Sequence, residues 1–397
     1  MLKNYFVLFT RNLKRQRLFS TINLLGLTAG IVSTLLIYLY VQHEFSYDRF
    51  HVNADRIYRI NQTFIWGDHD DKQFASLGPG VAYALNAEVP EIKEVVRIHP
   101  MTTTMVTNSE NKNDIKAFEE AGILAVDSNF FRVFSFPLVK GSIETALQKP
   151  YAAILTASAA KKYFGTEEVI GKLLQVGEDS VRDVYEVTAV LQDLPDNSYI
   201  DFDILFSMSS IPRIRYSNDQ WIWTTFETFV LLDEHATITT LESKLPGIPR
   251  KYAEGTIQNA FNQSYDDYVK SGKKWELFAQ PFTSIHLHST NIYNRLNNVG
   301  NATTVYILIG AEILIVLLSC INFMNLSTAQ YTRRIKESGL RKIMGSDKAQ
   351  LALHFFSEAF MFCCIAAILG LSLVQIVLPY FNLLIGNNLK LDIMNHP

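Results

Sequence analysis

The sequence predicts a membrane protein with three transmembrane α-helices and a large α+β extracytoplasmic domain of two lobes. Three apolar runs are the main evidence. Residues 18–42 contain no charged side chain, residues 303–330 contain only Glu312, and residues 351–385 contain only one Glu and one His. A helix needs about 20 apolar residues to cross the hydrocarbon core of a bilayer. Each run is long enough, so we expect three spans.

The first run is predicted to be a membrane anchor that stays on the protein, and not a signal peptide. Its apolar part exceeds the roughly 7–15 residues of a signal-peptide core, and no small-x-small cleavage motif follows it. Residues 1–17, which precede it, are predicted to form an amphipathic helix at the cytoplasmic membrane interface. Membrane lipid is therefore one predicted partner.

The distribution of Lys and Arg predicts the orientation of the chain. Residues 1–17 carry five basic residues and no acidic one, and residues 331–350 carry six basic residues. Short flanks that are rich in Lys and Arg stay in the cytoplasm. We therefore expect a multi-pass protein of the inner membrane, with residues 43–302 in the periplasm and residues 386–397 as an extracytoplasmic tail.

The outer region, residues 43–302, has the pattern of an α+β domain. Short apolar and β-branched runs such as residues 151–155 predict strands. Residues 156–165 predict a helix that starts at Thr156 as N-cap and stops at Gly165. The region contains no Cys, so its own hydrophobic core must stabilise it. Its acidic residues outnumber its basic residues by about ten, which argues against nucleic acid as a partner.

Two of the apolar runs carry small or polar residues that predict helix packing. Gly26 and Gly30 are four residues apart in the first run, a spacing that lets two helix backbones approach closely. In the second run, Asn322 and Asn325 lie on one face with Ser319. These residues fit ordinary packing within one chain, and they equally fit a bundle assembled with a second subunit.

The sequence contains no recognisable catalytic or metal-binding motif. The P-loop G-x-x-x-x-G-K-[ST] and the zinc-protease motif H-E-x-x-H are both absent. His286 and His288 are two residues apart, but no third metal ligand stands at a recognisable spacing. We therefore predict that the chain is no enzyme and binds no cofactor or metal. Glu312 lies within an apolar run, where an acidic residue serves transport, sits at the membrane interface or is paired within the bundle.

The segment after the second run reads RIKESGLRKIMGS, residues 334–346. It resembles the pattern R-x-K-E-I-G-I-R-K-x-x-G-A of ABC transporter permeases of the MacB/FtsX type, with Ser338 where an apolar residue is usual. The matched residues are Arg334, Lys336, Glu337, Gly339, Arg341, Lys342 and Gly345. Blocks at residues 45–60, 126–147 and 187–205 also resemble the long permeases of this type in Bacteroidetes-like bacteria.

The resemblance implies an architecture and partners. The outer region would be a MacB-like periplasmic core domain with a second lobe inserted at about residues 127–205. The permease would form a homodimer or pair with a homologous permease, and a separate ABC-type ATP-binding subunit would dock on residues 331–350. The residues implied in this coupling are Arg334, Lys336, Glu337, Gly339, Leu340, Arg341, Lys342 and Gly345. The alternative for this segment is a basic loop that only flanks the membrane.

The resemblance also implies a function. The chain would be a permease that couples ATP hydrolysis by its partner to movement of the periplasmic domain, a mechanism called mechanotransmission. It would export or extract a peptide, a drug or a lipoprotein, and the sequence does not identify which. The alternative is a membrane sensor that transmits an extracytoplasmic ligand state or activates a periplasmic hydrolase. The family has four spans in each unit, so we expect a truncated form that lacks the fourth.

Overall fold

The structure is a computed structural model that describes residues 17–65, 72–108, 115–177, 182–215, 219–297, 299–333 and 348–391. The chain divides into two compact units. The membrane unit comprises Met1–Phe45 and Ala302–Pro397, and the outer unit comprises Ser46–Asn301. The predicted N-terminal amphipathic helix, apart from its last residue, and all the predicted coupling residues lie outside the described residues.

Three long helices make up most of the described membrane unit. The first span is Arg17–Phe45, the second span is Ala302–Arg333 and the third span is Lys348–Ile385. Each of them contains a stretch that is long and apolar enough to cross a membrane. The three predicted spans are therefore confirmed as candidate membrane helices, and each helix extends beyond the apolar run at one or both ends.

The three helices pack through small residues and aromatic contacts. The first span contacts both of the other spans. A Cβ atom placed on Gly370 of the third span would lie 2.7 Å from Ile31 Cγ2 of the first, which is closer than two carbon atoms normally approach. Phe323 and Phe362 join the second and third spans, with ring centroids 6.4 Å apart. The missing side chain at Gly370 is what lets the third span lie against the first.

The outer unit is built on one mixed β-sheet. Its described strands are β1 Ile57–Phe64, β2 Lys72–Phe74, β3 Ser76–Leu77, β4 Ile92–Pro100, β5 Thr104–Asn108, β6 Lys116–Glu120, β7 Ile123–Val126, β8 Leu138–Lys140, β9 Ala152–Thr156, β10 Leu173–Val176, β11 Asp183–Leu191, β12 Ile204–Ser207, β13 Phe226–Leu232, β14 Trp275–Pro281 and β15 Ile292–Tyr293. Their order across the sheet is β15-β2-β1-β13-β4-β7-β12-β9-β11-β10-β5-β6, with β14 beside β1, β3 beside β13 and β8 beside β11. The neighbours β7 and β12, β9 and β11, and β2 and β15 run parallel.

Short helices accompany the sheet, so the predicted α+β class is confirmed. They are α1 Pro79–Glu88, α2 Phe130–Val133, α3 Ala157–Phe164, α4 Pro212–Arg215, α5 Ile238–Lys244, α6 Gly247–Tyr252, α7 Glu254–Phe261, α8 Tyr265–Lys270 and α9 Ile285–His288. Helix α3 has the predicted ends. Thr156 Oγ1 accepts a hydrogen bond from Ala159 N at 3.2 Å, and Gly165 closes the helix with a left-handed φ of 74°.

Three clusters of buried side chains form the core of the outer unit. The first is rich in Phe and includes Phe130, Phe134 and Phe229. The second packs beneath α1 and α5 to α8 around Trp221 and Trp275. The third lies between α3 and the strands β9 to β12. A core of this size stabilises the unit by apolar burial, without any disulfide.

The predicted division of the outer region into two lobes stays a prediction. Strands within residues 127–205 continue the same sheet as the rest of the outer unit. Strands β5 and β6 come before residue 127, yet β5 pairs with β10 from within the predicted inserted lobe. The sheet therefore shows no boundary at residue 127.

Candidate functional site

The predicted coupling residues, from Arg334 to Gly345, lie outside the described residues, and their role stays a prediction. The structure does place the predicted packing residues of the first and second spans. It also shows a buried ion pair in the outer unit that sequence analysis did not single out. These two regions are the candidate functional sites.

The contact between the first and second spans contains three of the four predicted packing residues. A Cβ atom placed on Gly26 would lie 2.9 Å from Asn322 Nδ2, and one placed on Gly30 would lie 3.0 Å from Ser319 Cβ. Both approaches are shorter than ordinary van der Waals contacts. Glycine is thus what permits the present separation of the two helices. Asn325 lies further along the second span with an exposed side chain.

The first span also buries polar side chains that sequence analysis missed. Ser20 is 2% exposed, Asn23 is 1% exposed and Thr28 is 7% exposed. A run with only single Ser, Thr and Asn residues is still apolar enough to span a membrane. The sequence pattern therefore did not show which of these polar residues are buried. Small and polar residues of this kind mark helix packing faces in a bilayer. The first span is therefore a packed helix over these residues.

A buried ion pair joins two central strands of the outer unit. Arg59 on β1 is fully buried, and Glu227 on β13 is 2% exposed. Arg59 Nη1 lies 3.4 Å from Glu227 Oε2. Arg59 stands directly opposite Phe229 in the antiparallel pairing of β1 with β13. Glu227 is two residues from Phe229, so it projects from the same face as Arg59 and within its reach.

The guanidinium of Arg59 has three further hydrogen-bond partners. Nη1 donates to Tyr199 Oη at 2.8 Å. Nη2 donates to Gln280 Oε1 at 2.8 Å and to Ser289 Oγ at 3.0 Å. A charge in a protein interior must be paired and hydrogen-bonded to be tolerated. These contacts meet that need at both Nη atoms, and they connect β1 to β14 and to the segment that contains Tyr199.

The carboxylate of Glu227 is held by two more donors. Oε1 accepts hydrogen bonds from Tyr199 Oη at 2.6 Å and from the backbone N of Leu296 at 2.7 Å. Burial raises the pKa of Glu227, while the charge of Arg59 and the two donors act in the opposite direction. Burial and the nearby Glu227 charge also raise the pKa of Tyr199, which keeps its hydroxyl protonated and able to donate.

The ion pair attaches the last part of the outer unit to the centre of its sheet. Leu296 belongs to the segment that leads to the second span, which begins at Ala302. Removing one partner of a buried ion pair typically costs about 3–5 kcal/mol. The partners of Arg59 and Glu227 named here are all protein groups. The arrangement therefore holds these chain segments together.

The sequence does contain a signal for this pair. Arg59 is a single charged residue in the apolar stretch IYRI, and Glu227 is a single charged residue in FETFVLL. A lone charge in a strand whose other residues are buried requires a buried partner. The signal identifies each residue as unusual, and it does not say that the two meet.

His286 and His288, the two histidines that sequence analysis considered as metal ligands, both lie in helix α9. His286 stacks on Tyr47, with ring centroids 3.3 Å apart and planes inclined by 4°. His288, in the same short helix, is exposed. Within the described ranges, no group of three or more His, Cys, Asp or Glu side chains converges as metal ligands.

Comparison with known proteins gives two domain matches. Residues 20–248 match the MacB-like periplasmic core domain, and residues 309–395 match the FtsX-like permease C-terminal domain. The chain is 21% identical over 313 residues to the macrolide export ATP-binding/permease protein MacB of Vibrio parahaemolyticus serotype O3:K6. That alignment covers 77% of this chain and 42% of the relative. The chain thus spans less than half the length of this curated relative.

Two solved structures of permease domains are also similar to the chain. A domain of a putative permease protein from Porphyromonas gingivalis is 22% identical, with a TM-score of 0.49 over 66% of this chain and 99% of that one. The periplasmic region of MacB from Actinobacillus actinomycetemcomitans is 15% identical, with a TM-score of 0.36 over 58% of this chain and 91% of that one.

The two domain matches settle the family. The first covers more than half of the chain, and the second covers about half of the remainder, in the order expected from the resemblance. The second match includes residues 334–346, which carry the permease pattern. The chain belongs to the family of MacB/FtsX-type ABC transporter permeases.

Proposed function

We propose that this chain is the permease part of an ABC transporter and couples ATP hydrolysis by a separate ATP-binding subunit to movement of the outer unit. Permeases of the MacB/FtsX type work with an ATP-binding subunit. The sequence of this chain contains no P-loop. In this proposal, that subunit supplies the site of ATP hydrolysis.

The observation that carries this mechanism is the hydrogen bond from Leu296 N to Glu227 Oε1. It joins the segment that leads to the second span to a buried ion pair at the centre of the sheet. If only solvent-exposed contacts held the segment that leads to the second span, the segment could move while the sheet stayed in place. A segment bonded to a buried charge moves with the sheet, because separating them would leave that charge short of a partner.

The input to this mechanism is proposed to be residues 331–350. Closure of the ATP-binding subunits would move this segment through contacts with Glu337, Gly339 and Arg341, and the motion would pass along the spans. The close contacts at Gly26 and Gly30 would let the first two spans move as a packed pair.

The outer unit would lie on the periplasmic side of the inner membrane, and the N-terminus would lie in the cytoplasm. The substrate would be bound by the outer unit. The Vibrio relative is a macrolide exporter by name. For this chain, a peptide, a drug or a lipoprotein are the substrate classes proposed.

The exposed side chain of Asn325 fits packing of the second span against a second permease subunit.

The experiment uses the chain co-purified with its ATP-binding subunit in lipid nanodiscs. The triple variant Glu337→Ala, Gly339→Ala and Arg341→Ala is compared with the native chain. We expect the variant to insert into the membrane normally. It should no longer stimulate ATP hydrolysis by the ATP-binding subunit. The matched control is Arg17→Ala, which removes a basic residue beside the first span and leaves the segment intact.

Three results would decide between the alternatives. Loss of stimulation in the triple variant with normal activity in the control supports the coupling role. Full stimulation in the triple variant contradicts it and favours a basic loop that only flanks the membrane. Failure of any ATP-binding subunit to bind the native chain contradicts the transporter proposal itself and favours the sensor alternative.

A further inference from the structure

One turn of the outer unit contacts both ends of that unit. We call residues 197–199 the clamp turn; it lies between β11 and β12. The entry segment, residues 46–48, follows the first span. The exit segment, residues 296–297, precedes the second span. All three segments belong to the outer unit.

Asn197 holds the beginning of the entry segment. Its Nδ2 donates hydrogen bonds to Ser46 Oγ at 2.9 Å and to Ser46 O at 3.1 Å. Its carbonyl oxygen accepts a hydrogen bond from Asp48 N at 2.9 Å. The entry segment is therefore bound to Asn197 through both side-chain and backbone groups.

Asp48 completes the attachment of the entry segment. Its Oδ1 accepts a hydrogen bond from Tyr199 N at 2.8 Å, and the residue is fully buried. Its backbone has a φ of 62°, a left-handed conformation that Asp adopts more readily than most residues but less readily than glycine. Such a conformation persists only where surrounding contacts determine it. The bonds to Asn197 and Tyr199 are those contacts.

The exit segment is attached to the same turn from the other side. Asn297 Nδ2 donates a hydrogen bond to Tyr199 O at 2.8 Å. Leu296 N donates to Glu227 Oε1, and that oxygen also accepts the hydroxyl of Tyr199. Tyr199 thus meets the entry segment through its backbone N, the exit segment through its backbone O, and the buried ion pair through its hydroxyl.

We propose that the clamp turn locks the entry and exit segments to one another, so that the two ends of the outer unit move as a single body. Tyr199 is the positioning residue, because each of its polar groups holds a different segment. The consequence for transport rests on the proposed function: displacement of either of the first two spans would be delivered to both ends of the outer unit together. The clamp itself does not depend on that function.

The clamp differs in a measurable way from two independent loop attachments. If each segment is attached on its own, loosening one leaves the other unchanged. If the clamp turn joins the two segments, loosening one of them makes local opening more frequent in both. Amide hydrogen exchange reports such local opening. Asp48 N and Leu296 N are hydrogen-bonded reporters at the two ends.

The test is hydrogen–deuterium exchange of the full chain in nanodiscs, read in peptides that cover the entry and exit segments. Asn197→Ala cuts the entry contact, and Asn297→Ala cuts the exit contact. Each variant is expected to raise exchange about two- to tenfold at the opposite end as well as at its own, since each removes one or two hydrogen bonds. Native tryptophan fluorescence shows that each variant is folded.

The matched control is Asn129→Ala. Asn129 Nδ2 also joins two distant segments of the outer unit, through Glu94 Oε2 at 2.7 Å and Val95 O at 3.1 Å, but it contacts neither end. Exchange at both ends should stay at the native value in this variant. Exchange that rises only at the cut end, in both Asn197→Ala and Asn297→Ala, would overturn the clamp.

This result is independent of the transporter assignment. The exchange measurement needs no ATP-binding subunit, so reciprocal loosening supports the clamp even where no such subunit binds. If amide exchange rises only at the end where the contact was cut, the clamp is overturned. The coupling role of residues 331–350 is then still tested separately, by the ATPase measurement on the triple variant.

Discussion

The hydroxyl of Tyr199 donates a 2.6 Å hydrogen bond to Glu227 Oε1 inside the outer unit. Tyr199 comes from the segment between β11 and β12, and Glu227 comes from β13. The same carboxylate faces Arg59 of β1 and accepts the backbone N of Leu296. One buried carboxylate therefore joins four segments that are distant in sequence. Its removal should affect all four together.

We expect Glu227→Gln to destabilise the outer unit by about 3–5 kcal/mol, because it leaves the buried Arg59 charge without its counter-charge. The double variant Arg59→Met with Glu227→Gln should cost less than the sum of the two single changes, since no buried charge is then unpaired. Urea unfolding of the full chain, followed by tryptophan fluorescence, measures this. All tryptophans lie in the outer unit, at Trp66, Trp221, Trp223 and Trp275.

The control for this cycle is an exposed ion pair. Glu168 lies 2.8 Å from Lys140, and the two side chains are 73% and 44% exposed. Glu168→Gln should change the free energy of unfolding by less than about 1 kcal/mol. Strict additivity of the Arg59 and Glu227 changes would contradict a coupled buried pair.

Asp48 predicts a pH dependence of stability near neutrality. Burial raises its pKa from the ordinary value of 3.8 to about 7, against the opposing hydrogen bond from Tyr199 N. The folded state thus holds the proton more tightly than the unfolded state. The contribution of Asp48 to stability is full below pH 3.8 and is lost as the pH rises through about 7. The slope is at most about 1.4 kcal/mol per pH unit.

The variant Asp48→Asn should remove this dependence. Asn is tolerated in the left-handed conformation, and its Oδ1 can still accept the hydrogen bond from Tyr199 N. Between pH 6.5 and 8, we expect the urea midpoint of the native chain to fall and that of Asp48→Asn to stay level. Parallel profiles would show that Asp48 does not titrate in this range.

Below pH 6.5, a second buried residue also changes the stability of the protein with pH. Burial lowers the pKa of His51 from 6.5 to about 3. The contribution of His51 to stability is therefore present above pH 6.5 and is lost as the pH falls toward 3. His51 Nδ1 accepts a hydrogen bond from Ser135 N at 2.9 Å, which fits the neutral ring. The Asp48 comparison is made above pH 6.5 so that the two effects stay separate.

The outer unit should fold without the membrane unit. Its three core clusters consist of residues within Ser46–Asn301, and that range contains no Cys. Residues 46–301, produced alone, are expected to unfold in urea in one cooperative transition. The measurement is the coincidence of the tryptophan fluorescence and circular dichroism transitions. Separate transitions would instead support two independently stable lobes.

The sequence predicts best those features that depend on local physics. A bilayer requires long apolar runs, so all three candidate spans are visible in the sequence. Helix α3 is visible because an N-cap Thr and a C-terminal Gly satisfy backbone groups within a few residues. The charge asymmetry that predicts orientation is likewise a property of short flanks.

The features missed by the sequence depend on long-range order. Arg59 and Glu227 are 168 residues apart and meet only because β1 pairs with β13. The order of strands decides that pairing, and no local pattern encodes it. The left-handed conformation of Asp48 is hidden for the same reason: the residue is not glycine, and distant contacts with Asn197 and Tyr199 impose it. The clamp turn was consequently invisible as a site.

The contact between the first two spans gives a final prediction. A Cβ atom at Gly30 would lie 3.0 Å from Ser319 Cβ, so a larger side chain must push the second span away. We expect Gly30→Leu to destabilise the membrane unit by about 1–3 kcal/mol through overpacking. Thermal unfolding in detergent, followed with a thiol-reactive dye, measures this because the chain's cysteines all lie in the spans, at Cys320, Cys363 and Cys364.

The matched control is Gly310→Leu in the second span. A Cβ atom at Gly310 meets no other atom within 4 Å. This change adds the same side chain to a glycine in a span but should leave the melting temperature within a degree or two of the native value. If Gly30→Leu and Gly310→Leu melt alike, close approach at Gly30 does not hold the helices together, and the packed pair proposed to carry motion would lose its physical basis.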